Sequence, residues 1–361
     1  MRYIGLESIE SNTGRFNEGE LSKTPEAPQA NSFRFGVDHV LYGKLRPYLN
    51  KVALADFEGK CSTEIIPLLP SSNLDRRYLS YFLRSPQTVS RISEKTAGAR
   101  MPRADMDFVF GLEMPFPDIP EQRRIVDILS RAEGIVRLRR EAEKKAAELI
   151  PAMFLDMFGD PATNPKGWSL RKVSEFVRRF EGGKNIQAGS ENGSPYRILK
   201  VSAVTSGAYR ESESKPSPDG YSPPTSHIVR AGDMLFSRAN TEELVGATAI
   251  VEATDGKTLL PDKLWRFVWS EPVEPTYMYA LFQSPDVRRE LGKLSSGTSA
   301  SMRNISQGKL FDLALPIAPF ASQKNFAERA AAVRSIQSQQ SAATAKAQAT
   351  FDALLAQVFQ G

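Results

Sequence analysis

LEMPFPDIPEQRRIVDIL (residues 112–129) and LALPIAPFASQKNFAERA (residues 313–330) decide how this chain is built. Set one above the other, they keep a single offset of 201: Leu112 answers Leu313, Pro115 answers Pro316 and Gln122 answers Gln323. The same offset reaches back to Met101 with Met302 and forward to Phe158 with Phe359. A register held without a gap over some fifty-eight positions means one structural unit used twice. A single polypeptide made this way carries pseudo-twofold symmetry. It presents two similar surfaces, which suits a partner that is itself repeated, such as duplex DNA.

Further upstream the match continues with small shifts. YFLRSP (81–86) answers ALFQSP (280–285), and VDHVLYGK (37–44) answers AGDMLFSR (231–238). Tyr3, Leu6, Gly14 and Phe16 line up with Tyr196, Leu199, Gly207 and Tyr209. Shifting offsets mean loops of unequal length, where two copies diverge if each reads a different target. The second copy opens on NPKGWSLRKVSEFVRRFEGG (164–183), which has no equivalent before Tyr3. Either the first domain begins short, or the true start codon lies upstream.

Each copy reads as a mixed, strand-rich part followed by a long helix. HVLYGKLRPYLNKVALADF, STEIIPLL, DMLFSRAN, GATAIVEAT and KLWRFVW alternate and carry β-branched residues between Gly, Pro and Asp breaks. Ser85-Pro86 and Ser284-Pro285 announce a short helix in each, serine accepting from the first free amides and proline losing no needed donor. From Pro120 to Phe158 an apolar stripe runs through Ile125, Leu129, Val136, Leu149 and Met153, and from Ser322 to Phe359 through Phe326, Ala330, Val333, Phe351 and Leu354. Each helix could reach ~55–60 Å unbroken, with Pro151 expected to kink the first. Narrow stripes of this kind predict that the two helices pack on each other. The fold class is therefore α+β: two mixed α/β domains at 1–118 and 160–319, each followed by a long α-helix, at 119–159 and 320–361. The helices form a coiled-coil spacer with pseudo-twofold symmetry.

Composition sets outer bounds. At 361 residues and 41% hydrophobic the chain can bury two ordinary cores. Its single cysteine, Cys61, permits no internal disulfide and fits a reducing cytoplasm. No apolar run approaches the ~20 residues that span a bilayer, and the N-terminus has no signal-peptide core. A net charge of +5 and a pI near 9.1 are compatible with a polyanionic partner.

The order of parts resembles the specificity subunits of type I restriction-modification systems. The residues that carry the resemblance are EMPFPDIPEQRRIVDIL and the junction MFLDMFGDPATNPKGWSLRKVSEF, supported by GDMLFSRAN, SSGTSASMRNIS and TAGARMPRA. It covers nearly the whole chain. Two departures stand out: the first domain lacks an opening strand region, and PFASQKNFAE has lost the Pro-Glu pair that DIPEQRR keeps. The resemblance implies two target-recognition domains that each read half of a split double-stranded DNA target, held apart by the helix pair. It also implies docking of two copies of a modification subunit, an S-adenosylmethionine-dependent adenine methyltransferase, and of a motor-nuclease restriction subunit. S-adenosylmethionine, ATP and Mg2+ would sit on those partners, with no cofactor on this chain.

Basic and amide side chains in loops are the candidates for DNA contact. Equivalent positions select Lys44 with Arg238, and Arg103 with Asn304 or its neighbour Arg303; Arg46, Arg100, Lys184, Arg197, Lys200, Asn240, Lys263 and Arg266 extend the set. Thr96-Ala97-Gly98 and Ser295-Ser296-Gly297 read as glycine-permitted turns where backbone amides could approach a phosphate.

Catalytic signals are thin. His39 and His227 are the only histidines, too few for a zinc cluster. Gly182-Gly183-Lys184 lacks the spacing of a nucleotide loop. YSPPT (221–225) only approaches the Asn-Pro-Pro-aromatic element of adenine methyltransferases. Asp56, Glu58 and Lys60 form an acidic-x-lysine triplet of the kind that metal-dependent nucleases use, without a counterpart in the second copy. The chain is expected to be non-catalytic. The alternative reading is a coiled-coil interaction scaffold of another phage-defence complex, without its own sequence readout.

Overall fold

The computed structural model describes residues 2–21, 31–98, 100–190, 193–299 and 302–360. Ala99 of TAGARMPRA, and Ala300 and Ser301 of SSGTSASMRNIS, lie outside them. The chain forms two compact units, Met1–Lys144 with Gln339–Gly361, and Lys145–Ser338.

The first unit begins with β1 (Arg2–Ile4), α1 (Glu18–Leu21), β2 (Ser32–Phe35), β3 (Val40–Gly43), β4 (Val52–Leu54), β5 (Gly59–Ser62) and β6 (Ile65–Leu68). The helices α2 (Arg76–Arg84) and α3 (Pro86–Glu94) follow. The hairpin β7 (Thr96–Ala97) with β8 (Arg103–Ala104), then α4 (Met106–Phe110) and α5 (Ile119–Ala147), complete its contiguous part. One sheet has the order β1-β5-β2 and the other β4-β3-β6. The second is built on Val40–Tyr42, whose neighbours cover both faces, which is why it reads as an unbroken apolar run. Ser85 is at once the last cap of α2 and the first of α3, where its hydroxyl accepts from the Thr88 amide.

The second unit opens with α6 (Leu149–Phe158), β9 (Ser169–Lys172), α7 (Val173–Phe176), β10 (Val177–Gly182), β11 (Arg197–Leu199), α8 (Ser202–Thr205) and β12 (Ser214–Pro216). It continues through β13 (Met234–Ser237), β14 (Ala239–Asn240), β15 (Thr248–Ile250), β16 (Thr258–Leu259), β17 (Leu264–Trp269), α9 (Pro275–Gln283) and α10 (Pro285–Leu294). Last come β18 (Ser296–Ser299), β19 (Met302–Asn304), α11 (Gln307–Phe311), β20 (Ala314–Ile317) and α12 (Phe320–Phe359). Its central sheet is antiparallel, in the order β10-β17-β13-β15. The serine before α10 behaves differently from its partner: Ser284 donates back to the Leu281 carbonyl at 2.7 Å, so Pro285 alone marks the helix start.

The motif repeated at residues 112–129 and 313–330 is the joint between domain and helix. In the first unit the buried Gln122 accepts from the Asp75 amide at 2.8 Å and donates to the carbonyls of Asn73 (2.9 Å) and Pro117 (2.8 Å). In the second unit Gln323 accepts from the Glu274 amide at 3.0 Å and donates to the Ala318 carbonyl at 2.8 Å. Tyr78 donates its hydroxyl to the Pro115 carbonyl at 2.9 Å, and Tyr277 to that of Pro316 at 3.2 Å. An amide side chain offers the donor and acceptor that this joint needs, so Gln122→Ala or Gln323→Ala leaves a buried amide and carbonyl unmatched. Each substitution should cost ~1–3 kcal/mol in chemical denaturation, and a loss below ~0.5 kcal/mol would show that water replaces the side chain.

Both long helices meet inside each unit, as their stripes predict. In the first, Leu129 and Val136 of α5 share a core with Phe351, Leu355 and Phe359 of α12, and Arg140 donates to Gln348 at 2.9 Å. In the second, Phe154 and Phe158 of α6 share a core with Phe326 and Ala330 of α12, and Gln337 donates to the Ala146 carbonyl at 2.5 Å. The symmetry extends to ring contacts: Phe359 lies 5.1 Å from Tyr78, and Phe158 lies 4.8 Å from Tyr277. The interruption between α5 and α6 falls at Glu148. Pro151 has no N–H to donate to the carbonyl four residues before it, which accounts for the interruption.

The copies differ at one edge. In the second unit β20 pairs with β9, and Ile317 is 7% exposed. In the first, the equivalent residues 113–116 pair with no described strand, and Phe116 is 57% exposed.

Candidate nucleic-acid interface

The candidates group around one hydrogen-bonded frame that occurs in each unit. In the second unit the chain leaves β13 at Arg238, whose amide donates to the Lys263 carbonyl at 3.1 Å and whose carbonyl accepts from the Ile305 amide at 2.8 Å. The next residues form β14, where Ala239 faces Asn304 and Asn240 faces Arg303 on β19. In the first unit the chain leaves β3 at Lys44, whose amide donates to the Glu64 carbonyl at 2.9 Å and whose carbonyl accepts from the Ala104 amide at 2.8 Å. Leu45 then bridges to Arg103, and the Arg46 amide donates to the Pro102 carbonyl at 2.7 Å. The equivalences Lys44 with Arg238 and Arg103 with Asn304 thus share one backbone geometry.

On this frame the side chains differ. Arg103 holds Glu64 through its Nε (3.1 and 3.0 Å) and Nη2 (2.7 Å). The positions equivalent to this pair carry Asn304 and Lys263. Arg238 is steadied by the Asp262 carbonyl at 2.7 Å and by the Trp265 ring, 5.6 Å from its guanidinium carbon. Arg303 donates to the Ser295 hydroxyl at 3.1 Å. Arg46, Arg100 and Lys263 are exposed. The hairpin turns need their glycines: Gly98 has φ +95°, and a Cβ at Gly297 would stand 2.1 Å from the Met302 carbonyl oxygen.

Four candidates lie away from the frame. Arg197 and Lys200 belong to or follow β11; Arg197 donates to the Ser214 hydroxyl at 3.0 Å, and Lys200 is exposed. Lys184 is exposed beyond β10. Arg266 requires a correction. It is buried in β17 and donates to Glu181 (2.5 Å), Asp233 (2.9 Å) and the carbonyls of Ile228 (2.9 Å) and Ser226 (2.7 Å). Its guanidinium braces the central sheet and is not presented to solvent. Burial pushes the Glu181 carboxyl upward, but the Arg266 and Arg179 guanidiniums outweigh it and hold it below the ordinary carboxylate range.

Glu64 is the frame residue that a search for basic side chains misses. The hydrogen-bonded Arg103 guanidinium holds its carboxyl below the ordinary value of 4.5. A depressed carboxylate contributes stability that is whole above its unfolded value and is lost as pH falls through the folded one. The difference in melting temperature between wild type and Glu64→Gln should therefore be present at neutral pH and shrink below about pH 4.

Among the described residues no three His, Cys, Asp or Glu side chains stand close enough to hold a metal ion. Asp56 and Glu58 are exposed on the loop before β5, and Lys60 lies in that strand opposite Arg34. His39 accepts from the Gly36 amide at 3.1 Å. The proton affinity of His227 is lowered by burial and by the neighbouring Lys184 and Arg266.

Residues 26–148 match the family described as type I restriction modification DNA specificity domain. The specificity subunit of the type I restriction enzyme EcoEI of Escherichia coli is 29% identical over 209 residues, 56% of this chain and 35% of that protein. The EcoKI specificity subunit of E. coli strain K12 is 24% identical over 318 residues, 81% of this chain and 67% of its own length. The chain thus spans about a third of the first relative and two thirds of the second. A solved structure concerned with complex assembly and conformational transition of a type I R-M system aligns over 99% of this chain and 90% of its own, with a TM-score of 0.65 at 19% identity. The resemblance to specificity subunits read from the sequence holds in the family match and in both relatives, and the solved structure shares the fold.

Proposed function

We propose that this chain is the DNA-reading subunit of a type I restriction-modification complex. Residues 1–118 and 160–319 act as the two readers of a split duplex target, and residues 119–159 and 320–361 as the helical spacer between them. The observation that carries this reading is the frame itself: one backbone geometry, present twice, with different side chains mounted on it. Basic and amide groups on such a frame provide phosphate anchoring and groove contacts together. Two copies of a methyltransferase subunit and a motor-nuclease subunit would dock on the chain and carry S-adenosylmethionine, ATP and Mg2+. The chain would work in the cytoplasm, where the DNA is, and perform no chemistry itself. No described helix is long and apolar enough to cross a membrane.

Binding of random duplex by the chain with its modification subunit should fall roughly a thousandfold or more between 50 and 200 mM salt if several phosphates are engaged. Absence of binding at both salt concentrations would favour a scaffold without readout. Exchanging Trp168–Leu315 for the counterpart from a relative should change one half of the methylated target and leave the other intact. A change in both halves would reject independent readers.

A further inference from the structure

The geometry points to Arg103, braced by Glu64, and Asn304, with Lys263 at the frame position equivalent to Glu64, as equivalent base-reading side chains, the first suited to guanine and the second to adenine. This rests on the DNA-reading function proposed above and names the residues that would make its two half-sites differ.

Four observations converge. First, Arg103 and Asn304 occupy one place on the frame: each faces the strand after β3 or β13 on one side and its hairpin partner on the other, Arg103 against Leu45 and Ala97, Asn304 against Ala239 and Ser296. Second, both side chains point away from the core, because the next residues, Ala104 and Ile305, are buried and strand side chains alternate. Third, Glu64 occupies one edge of the Arg103 guanidinium, Nε with Nη2, and leaves the end-on pair of N–H groups on Nη1 and Nη2 directed outward. That fork matches guanine O6 and N7, and the Glu64 carboxylate fixes its plane. The Asn304 amide makes no hydrogen bond to a described residue, and an amide matches adenine N6 and N7. Fourth, each reader has an exposed methionine two residues earlier, Met101 at 47% and Met302 at 63%. Apolar side chains left open at the same offset in both copies suit a surface covered by bases, where a thymine methyl gives an apolar contact.

Charge separates base reading from phosphate anchoring. Arg103 with Glu64 is a neutral pair, so it gains little from a phosphate and suits an uncharged base edge. The equivalent pair in the second unit, Asn304 with Lys263, divides the tasks: an amide for the base and an exposed cation for the backbone.

The test uses the full chain co-expressed with its modification subunit in a host without other adenine methylation, the methylated motif being read by long-read sequencing. Wild type should give a bipartite motif with guanine in one half and adenine at the corresponding place in the other. No motif at all would defeat the DNA-reading function; a motif lacking that guanine or that adenine would defeat only the present inference. Arg103→Lys keeps the charge and loses the fork, and Asn304→Ala loses the amide. Each should lower discrimination at one position of its own half by roughly tenfold or more. Glu64→Gln, which keeps Arg103 and frees its orientation, should relax the same position as Arg103→Lys to a smaller degree. An unchanged motif, or a uniform drop in methylation with the motif intact, overturns the assignment. In binding assays Lys263→Ala should reduce the salt slope by about one and Arg103→Lys should leave it alone; the reverse would make Arg103 a phosphate anchor.

Discussion

Phe158→Ala should loosen the second unit and leave the first protected, although residue 158 closes the helical stretch that follows the first domain in sequence. Phe158 is buried among Phe154, Tyr277 and Phe326, with Trp168 6.3 Å away. Removing a buried phenyl ring typically costs ~3–5 kcal/mol through lost transfer energy and the cavity left behind. That is a large part of the ~5–15 kcal/mol that stabilises an ordinary domain. Hydrogen exchange would place the effect: protection should fall in α9, around Tyr277–Phe282, and persist in α2, around Tyr78–Leu83. Phe359→Ala is the mirror experiment, since Phe359 packs on Tyr78 and Phe82 at 5.1 and 5.7 Å. It should unprotect α2 and spare α9. Loss of protection in α2 on substitution of Phe158 would contradict the packing described.

Arg266→Ala is expected to cost about as much, ~3–5 kcal/mol, because it leaves an uncompensated charge inside the protein. Glu181 would retain Arg179, so the loss falls chiefly on Asp233 and on the carbonyls of Ile228 and Ser226. Lys263, three residues earlier and exposed, provides the comparison. Its substitution by alanine should stay within ~0.5 kcal/mol of wild type in denaturation. The two variants exchange rank when DNA binding by the folded protein is measured. A stable Arg266→Ala protein with weakened salt dependence would restore Arg266 to the surface set.

The repeat was legible because the joint between domain and helix demands the same chemistry in both copies: a buried amide at Gln122 and Gln323, and a hydroxyl-bearing ring at Tyr78 and Tyr277. Ser85-Pro86 and Ser284-Pro285 marked helix starts for the same local reason, even though the two serines bond differently. The burial of Arg266 is not legible in the sequence because LWRFVW belongs to a sheet covered on both faces. Leu264, Trp265, Arg266 and Phe267 are all buried, and alternation cannot then sort inside from outside. The role of Glu64 is silent in the sequence, because an acidic residue in STEIIPLL carries no sign of the guanidinium that reaches it from residue 103. An apolar stripe also cannot say whose core it enters, and so the distribution of each long helix over the two units came only from the fold.

That distribution bears on how the protein comes off the ribosome. Tyr78, Tyr81 and Phe82 are translated early, yet the rings they meet, Phe351 and Phe359, emerge more than 260 residues later. Contacts so distant along the chain close slowly. A nascent polypeptide halted after residue 144 and before residue 351 would hold a nearly finished first unit with an uncovered aromatic patch, a natural client for chaperones. A stop codon ahead of residue 351 would therefore strike the half of the protein that was made first.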